Sequence, residues 1–193
     1  SDLSVIRLLG SGGFGSVYEA TYNDSKVALK KFHTNTRNKK AAMQSYQAEV
    51  HQEVFSLKHP NIVRVLGCNM AQSLEDQPIV VMEFVSPKNL QHVLDDAEEK
   101  IDFKRRVTFA YEVSMALEYI HENRIVHLDL KPANVLISNE GHCKLADFGC
   151  CQIIQERPNT PSRSYLTGTF AYRAPELLKG GNPSFKADVD RKS

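Results

Sequence analysis

Three polar residues in one short stretch, Asp129, Lys131 and Asn134 of His127-Leu128-Asp129-Leu130-Lys131-Pro132-Ala133-Asn134, have the chemistry to move a phosphoryl group, and Asp147-Phe148-Gly149 follows them. Phosphoryl transfer passes through a loose transition state with charge spread over the phosphate oxygens. The protein must therefore hold a hydroxyl in line, neutralise that charge and supply oxygen ligands for a divalent cation. Asp129 can orient the hydroxyl and take its proton, Lys131 can neutralise the γ-phosphate, and Asn134 and Asp147 can hold Mg2+. Singly, an Asp of this kind reads as a helix cap and an Asn as a turn residue; the ordered set is what the chemistry needs.

A second candidate lies near the start. Gly10-Ser11-Gly12-Gly13-Phe14-Gly15-Ser16-Val17, with Leu9 before it, follows a strand, and its glycines let backbone N–H groups approach a phosphate without Cβ clashes. Such a loop fits a dinucleotide-binding turn or a merely structural turn equally well. The next element decides between them. A dinucleotide fingerprint must open a helix, whereas here the chain continues as a strand and turns back into Val27-Ala28-Leu29-Lys30, so the ligand is ATP-like. Lys30 sits among apolar neighbours, where an ammonium needs anions: phosphates from one side, a carboxylate from the following helix on the other.

The elements that must position these groups follow from residue pattern. Strands are predicted at Val5 to Leu9, Ser16 to Tyr22 and Lys26 to Phe32, then one long helix from Thr36 to Lys58, stopped by His59-Pro60-Asn61. Two more strands, Ile62 to Leu66 and Ile79 to Phe84, complete a small five-stranded antiparallel lobe with one helix. After Ser86-Pro87 the spacing of Leu90, Val93 and Leu94 predicts a short amphipathic helix. Ala110, Val113, Leu117 and Ile120 predict a longer one from about Phe103 to Glu122, buried in a second, mainly helical lobe. A hairpin of Val135 to Ile137 with Lys144 to Ala146 closes the pattern. The result is an α+β, bilobal chain with residues 1–85 and 86–193 as its two parts and the ligand cleft between them.

Composition narrows the partners. The chain has 193 residues, 41% of them hydrophobic, enough for a real core, and its 24 Lys+Arg and 23 Asp+Glu give a net charge of +1. Bulk charge thus favours neither nucleic acid nor an anionic membrane. The most apolar window, Ile79 to Val85, is short and carries Glu83, so no spanning segment is expected. Cys68, Cys143, Cys150 and Cys151 form no metal-ligand or disulfide-framework spacing, which suits buried thiols and a cytoplasmic protein.

The Gly-rich loop, strand lysine, His127 to Asn134 stretch, Asp147-Phe148-Gly149 and Ala174-Pro175-Glu176 stand in the order of the protein kinase family, which the chain resembles over nearly its whole length. Lys131 to Asn134 and Gly168-Thr169-Phe170-Ala171-Tyr172-Arg173 resemble the serine/threonine type. The resemblance implies that Val17 and Ala28 cover the adenine of ATP from above and Leu136 from below. Met82 would be the gatekeeper, and the backbones of Glu83 and Val85 would bond the adenine edge. The His127 to Asn134 stretch, Asp147 to Cys150 and Tyr172 to Gly180 resemble a branch that phosphorylates a MAP kinase kinase in maturing oocytes, which makes that kinase the implied protein substrate of a monomeric enzyme.

Three features bear on that resemblance. Leu128 stands where most of the family has the arginine that clamps a phosphorylated loop, so activity is expected not to need phosphorylation between Gly149 and Ala174, despite Thr160, Ser162, Ser164, Tyr165 and Thr167. The partner of Lys30 is expected to be Glu49 from its local context, with Glu53, one turn later, as the alternative. Lys186-Ala187-Asp188-Val189 begins the family's next helix, but Asp190-Arg191-Lys192-Ser193 replaces its apolar continuation, so the helical lobe is expected to be incomplete. A non-catalytic nucleotide- or partner-binding fragment is therefore the alternative reading of this chain.

Overall fold

The computed structural model describes residues 3–154 and 169–189. Five strands, β1 (Leu3–Ser11), β2 (Gly15–Tyr22), β3 (Ser25–Phe32), β4 (Val65–Cys68) and β5 (Ile79–Glu83), form one antiparallel sheet in the order β1-β2-β3-β5-β4. The β2–β3 turn passes through Asn23 and Asp24, both in the left-handed region (φ 47° and 61°), where short polar side chains are tolerated. Ala20, Val27 and Leu29 bury one face of the sheet.

Where one long helix is predicted, the structure has two pieces, α1 (Lys39–Glu49) and α2 (Gln52–Phe55), separated by Val50 and an extended His51. Packing explains the break. Ala42 and Tyr46 of α1 pack with Phe32 and Val80 against the sheet, whereas Val54 and Leu57 belong to the core of the other lobe. A straight helix could not serve both cores, and β-branched Val50 is a weak helix former at the junction. Ile62, expected at the start of a strand, instead lies buried and bridges Leu145 of the second lobe; the fourth strand begins only at Val65.

The second lobe contains α3 (Leu90–Asp95), α4 (Phe103–Glu122), β6 (Ile125–Val126), β7 (Val135–Ile137), β8 (Cys143–Leu145), β9 (Gln152–Ile153) and α5 (Pro175–Leu178). Strand β7 pairs with β8 and β6 with β9. Asn89 caps α3 and Asp102 caps α4, each accepting a main-chain N–H of the first turn. Val93 of α3 is buried, while Leu94 is exposed. The buried stripe of α4 runs through Phe109, Glu112, Ala116 and Ile120, with the predicted Val113 and Leu117 packed against the same core, while Ala110 faces outward. Glu112 is a polar residue placed inside. Its carboxylate accepts the Cys143 N–H at 2.6 Å and meets His142 Nδ1 at 2.6 Å, fastening α4 to the β7–β8 hairpin. At Lys186–Val189, where a helix is expected to begin, the described chain makes a single 3-10 turn, Phe185–Asp188. Among the described residues no helix is long and apolar enough to cross a membrane.

The hydrogen bond and the charge of Glu112 raise the pKa of His142 above its ordinary 6.5. A raised histidine stabilises the fold fully below the unfolded value and loses that contribution as pH rises through the folded one. An NMR titration of wild type should thus find His142 above the usual histidine range, and Glu112→Gln should return it to that range and flatten the loss of stability on going from pH 6 to 8.

Candidate active site

A cavity of about 310 Å³ lies between the sheet and the second lobe. The sheet places its upper wall. Leu9, Gly10 and Val17 come from the β1–β2 hairpin, with Gly10 paired to Val17, and Ala28 is paired to Met82 across β3 and β5. Leu136 on β7 forms the floor, and Glu83 and Val85 form the back edge. The Glu83 N–H is donated to the Arg64 carbonyl at 2.9 Å; among the described residues the Val85 N–H and C=O enter no backbone hydrogen bond. The Glu83 side chain links the lobes, accepting the Arg64 N–H at 2.8 Å and Lys144 Nζ at 3.1 Å. The side chains of Ser11, Phe14 and Ser16 do not line the cavity, and Gly12, Gly13 and Gly15 shape the hairpin tip, where the Gly12 N–H bonds the Gly15 carbonyl at 2.8 Å.

Lys30 crosses from β3 into the cleft and donates to Glu49 of α1; Asp147 Oδ1 stands 3.5 Å from the same ammonium. Glu53 instead pairs with His51 beside it at 2.5 Å, because the helix break carries it away from β3. Burial alone would lower the Lys30 pKa, but the charges of Asp147 and Glu49 outweigh it and hold the ammonium above its ordinary value. Burial raises Glu49 above the usual carboxylate value, with the Lys30 charge opposing it. The Lys30 charge holds Asp147 below the carboxylate range against burial, so this group is ionised at neutral pH. Gly149 is what lets α1 come this near: a Cβ there would stand 2.3 Å from Ser45 Oγ and 2.9 Å from Glu49 Oε1.

Asp147, ionised and with its side chain 41% exposed, presents a negative charge to the cleft. Asn134 stands near it in the cavity wall and spends its Nδ2 on the Asp129 carbonyl (2.8 Å) and Oδ2 (3.0 Å), which turns its amide oxygen toward a cation. A carboxylate and an amide oxygen suit a hard divalent ion that keeps phosphates and waters as its other ligands. The residues present therefore fit such an ion.

Asp129 is held from three sides: by Asn134, by the Thr169 N–H at 3.1 Å to Oδ1, and by Lys131 Nζ at 3.5 Å from Oδ2. Lys131 also donates to Thr169 Oγ1. The loop below is anchored through His127, whose Nδ1 accepts the Asp129 N–H (3.2 Å) and whose Nε2 donates to the Ala146 carbonyl (2.9 Å). Leu128 adopts φ +63°, unusual for a branched apolar residue. Two buried bonds hold it there. The Asp188 carboxylate accepts the N–H groups of His127 and Leu128, each at 2.8 Å, and His121 Nε2 lies 2.9 Å from the same group. Burial pushes Asp188 up, but these hydrogen bonds and nearby positive charge hold it below the carboxylate range. The side chain of Leu128 joins Val126, Ala174, Leu177 and Ala187 in an apolar cluster.

Two positioning residues thus escaped the sequence reading. Asp188 lies far along the chain and gave no local signal, whereas Thr169 was visible only as part of the Gly168 to Arg173 stretch. Thr160, Ser162, Ser164, Tyr165 and Thr167, on which the expectation about phosphorylation rests, lie outside the described residues.

Comparison with known proteins agrees with this arrangement. Residues 3–190 match the family model described as "Protein kinase domain". The chain is 45% identical to the serine/threonine-protein kinase mos of Patiria pectinifera over 98% of its own length and 54% of the relative's. It is 37% identical to that of Ciconia nigra, covering 92% of this chain and 97% of the relative, and 36% identical to that of Gallus gallus, covering 97% and 58%. The chain thus spans little more than half the length of the Patiria and Gallus relatives.

Asp188→Ala should leave two buried amides without a partner, at about 1–3 kcal/mol each. Chemical denaturation is expected to show a loss of that size, and Asp188→Asn, which keeps one acceptor oxygen, a smaller one.

Proposed function

Because the chain belongs to the protein kinase domain family, as a Mos-like serine/threonine kinase domain, we propose that it transfers the γ-phosphoryl group of ATP, with Mg2+, to a serine or threonine of a protein substrate. The substrate in this reading is a MAP kinase kinase, the setting is the cytoplasm of the maturing oocyte, and the enzyme acts as a monomer. Support for substrate and setting is the likeness of the His127 to Asn134, Asp147 to Cys150 and Tyr172 to Gly180 stretches to that branch of the family. The four cysteines are free thiols, which suits a reducing compartment.

The observation that carries the reading is that the electrostatic cluster of Lys30, Glu49 and Asp147 shares its cleft with Asn134, which holds the buried carboxylate of Asp129 just behind the cleft wall. Lys30, fixed by Glu49, faces phosphate oxygens and stabilises the charge that develops on them in the transition state. When bound, Mg2+ would be held by Asp147 and the Asn134 amide oxygen and would neutralise charge on the phosphates. Asp129, kept in place by Asn134 and Thr169, accepts a hydrogen bond from the incoming hydroxyl and receives its proton as the new O–P bond forms and the bond from the γ-phosphorus to the leaving ADP breaks. Lys131 neutralises the transferring group from the substrate side, and its bond to Thr169 holds it beside Asp129.

Transfer of labelled γ-phosphate to recombinant MAP kinase kinase, followed by phosphoamino-acid analysis, tests this. Asp129→Asn and Lys30→Met should each lower kcat about a hundredfold to a thousandfold, the size of one electrostatic contact made to a transition state. Retained turnover in Lys30→Met, or label on tyrosine alone, would overturn the assignment.

A further inference from the structure

The tip of the β1–β2 hairpin is tied to the far end of β3 by polar contacts that the phosphotransfer chemistry does not use. The Ser11 and Ser16 hydroxyls lie 2.9 Å apart, and Ser16 Oγ lies 2.8 Å from His33 Nε2. The same histidine donates its main-chain N–H to the Phe14 carbonyl at 2.8 Å. Phe14 packs against the cluster of Phe32, Tyr46 and Val80. Gly15 permits the close approach, since a Cβ there would stand 2.6 Å from the Lys31 carbonyl oxygen.

Position limits what these groups can do. Gly10 and Val17 are paired and line the cleft, and because successive strand residues face opposite ways, the next pair, Ser11 and Ser16, points to the outer face. Ser16 is 7% exposed, so its hydroxyl needs an internal partner, and His33 supplies one. We propose that His33 is a positioning residue for nucleotide binding: by holding Ser16, and Ser11 through it, it fixes the height of the hairpin tip above the bound phosphates. His33 acts only through the backbone of that hairpin. Without the tie the tip is ordered at the moment of binding rather than beforehand, which weakens affinity. The restraint is the same in ground and transition state, so its loss raises KM for ATP and spares kcat. The inference rests on the reading of the cleft as a nucleotide site.

Equilibrium titration of the chain with a non-hydrolysable ATP analogue and Mg2+ tests it without requiring turnover. His33→Ala should weaken binding about fivefold to tenfold, the size of one net hydrogen bond. Ser16→Ala should have a similar effect, and the double variant should be no weaker than either single one, since both remove the same tie. His33→Gln, whose amide nitrogen can reach Ser16, should bind within about twofold of the unaltered protein by keeping that one bond. Unchanged affinity in His33→Ala, strictly additive losses, or a fall in kcat with KM unaltered would refute the latch. If the unaltered protein bound no nucleotide, the reading of the cleft itself would fail.

Discussion

A single buried ammonium governs this molecule. Lys30 cannot remain charged at the junction of sheet and helix without anions, and it has two: Glu49 from α1 and Asp147 from the segment after β8. Three separate parts of the chain must therefore meet at one point. The sheet brings Lys30, the Asn38 cap starts α1 at the right place, and Gly149 lets that helix approach closely enough for Glu49 to reach across. The two groups then offer opposite charges to the cleft: the carboxylate of Asp147 suits a divalent ion, and the ammonium of Lys30 suits phosphates.

The catalytic loop obeys a second constraint of the same kind. A left-handed leucine at position 128 costs energy that must be offset nearby, and the buried Asp188 offsets it by taking the two amides that this conformation points inward. Asp147 is left-handed as well, at φ +62°, so both the loop that carries Asp129 and the segment that carries Asp147 contain a residue in a region that non-glycine residues seldom adopt. His127 joins the two, bonding Asp129 on one side and Ala146 on the other while its ring lies against Phe148. Leu128 adds apolar packing to Ala174 and Leu177.

Much of this was legible in the sequence because it is local. The Gly-rich turn, the polar set from Asp129 to Asn134, and the strands around them are written in neighbouring residues with fixed spacing. The choice of Glu49 over Glu53 rested on local context alone, because a continuous helix would put both on one face; the break at Val50 and His51 is what separates them. Tertiary demand set that break, with two cores competing for one helical segment. The burial of Glu112 on α4 was not legible because periodicity assumes that polar residues face water, whereas this one serves two partners inside. Asp188 was invisible for the plainest reason: its partners lie some sixty residues away, at separations of 60 and 61.

The central claim is that Lys30, Asp147 and Asn134 form one phosphate-and-metal site facing Asp129. A crystal structure of the chain with Mg2+ and a non-hydrolysable ATP analogue tests it directly. The expected result has the phosphates against Lys30 and the ion between Asp147 and the Asn134 amide oxygen, with the γ-phosphate on the Asp129 side of the cleft. A nucleotide bound elsewhere, or an ion that touches neither Asp147 nor Asn134, would contradict it.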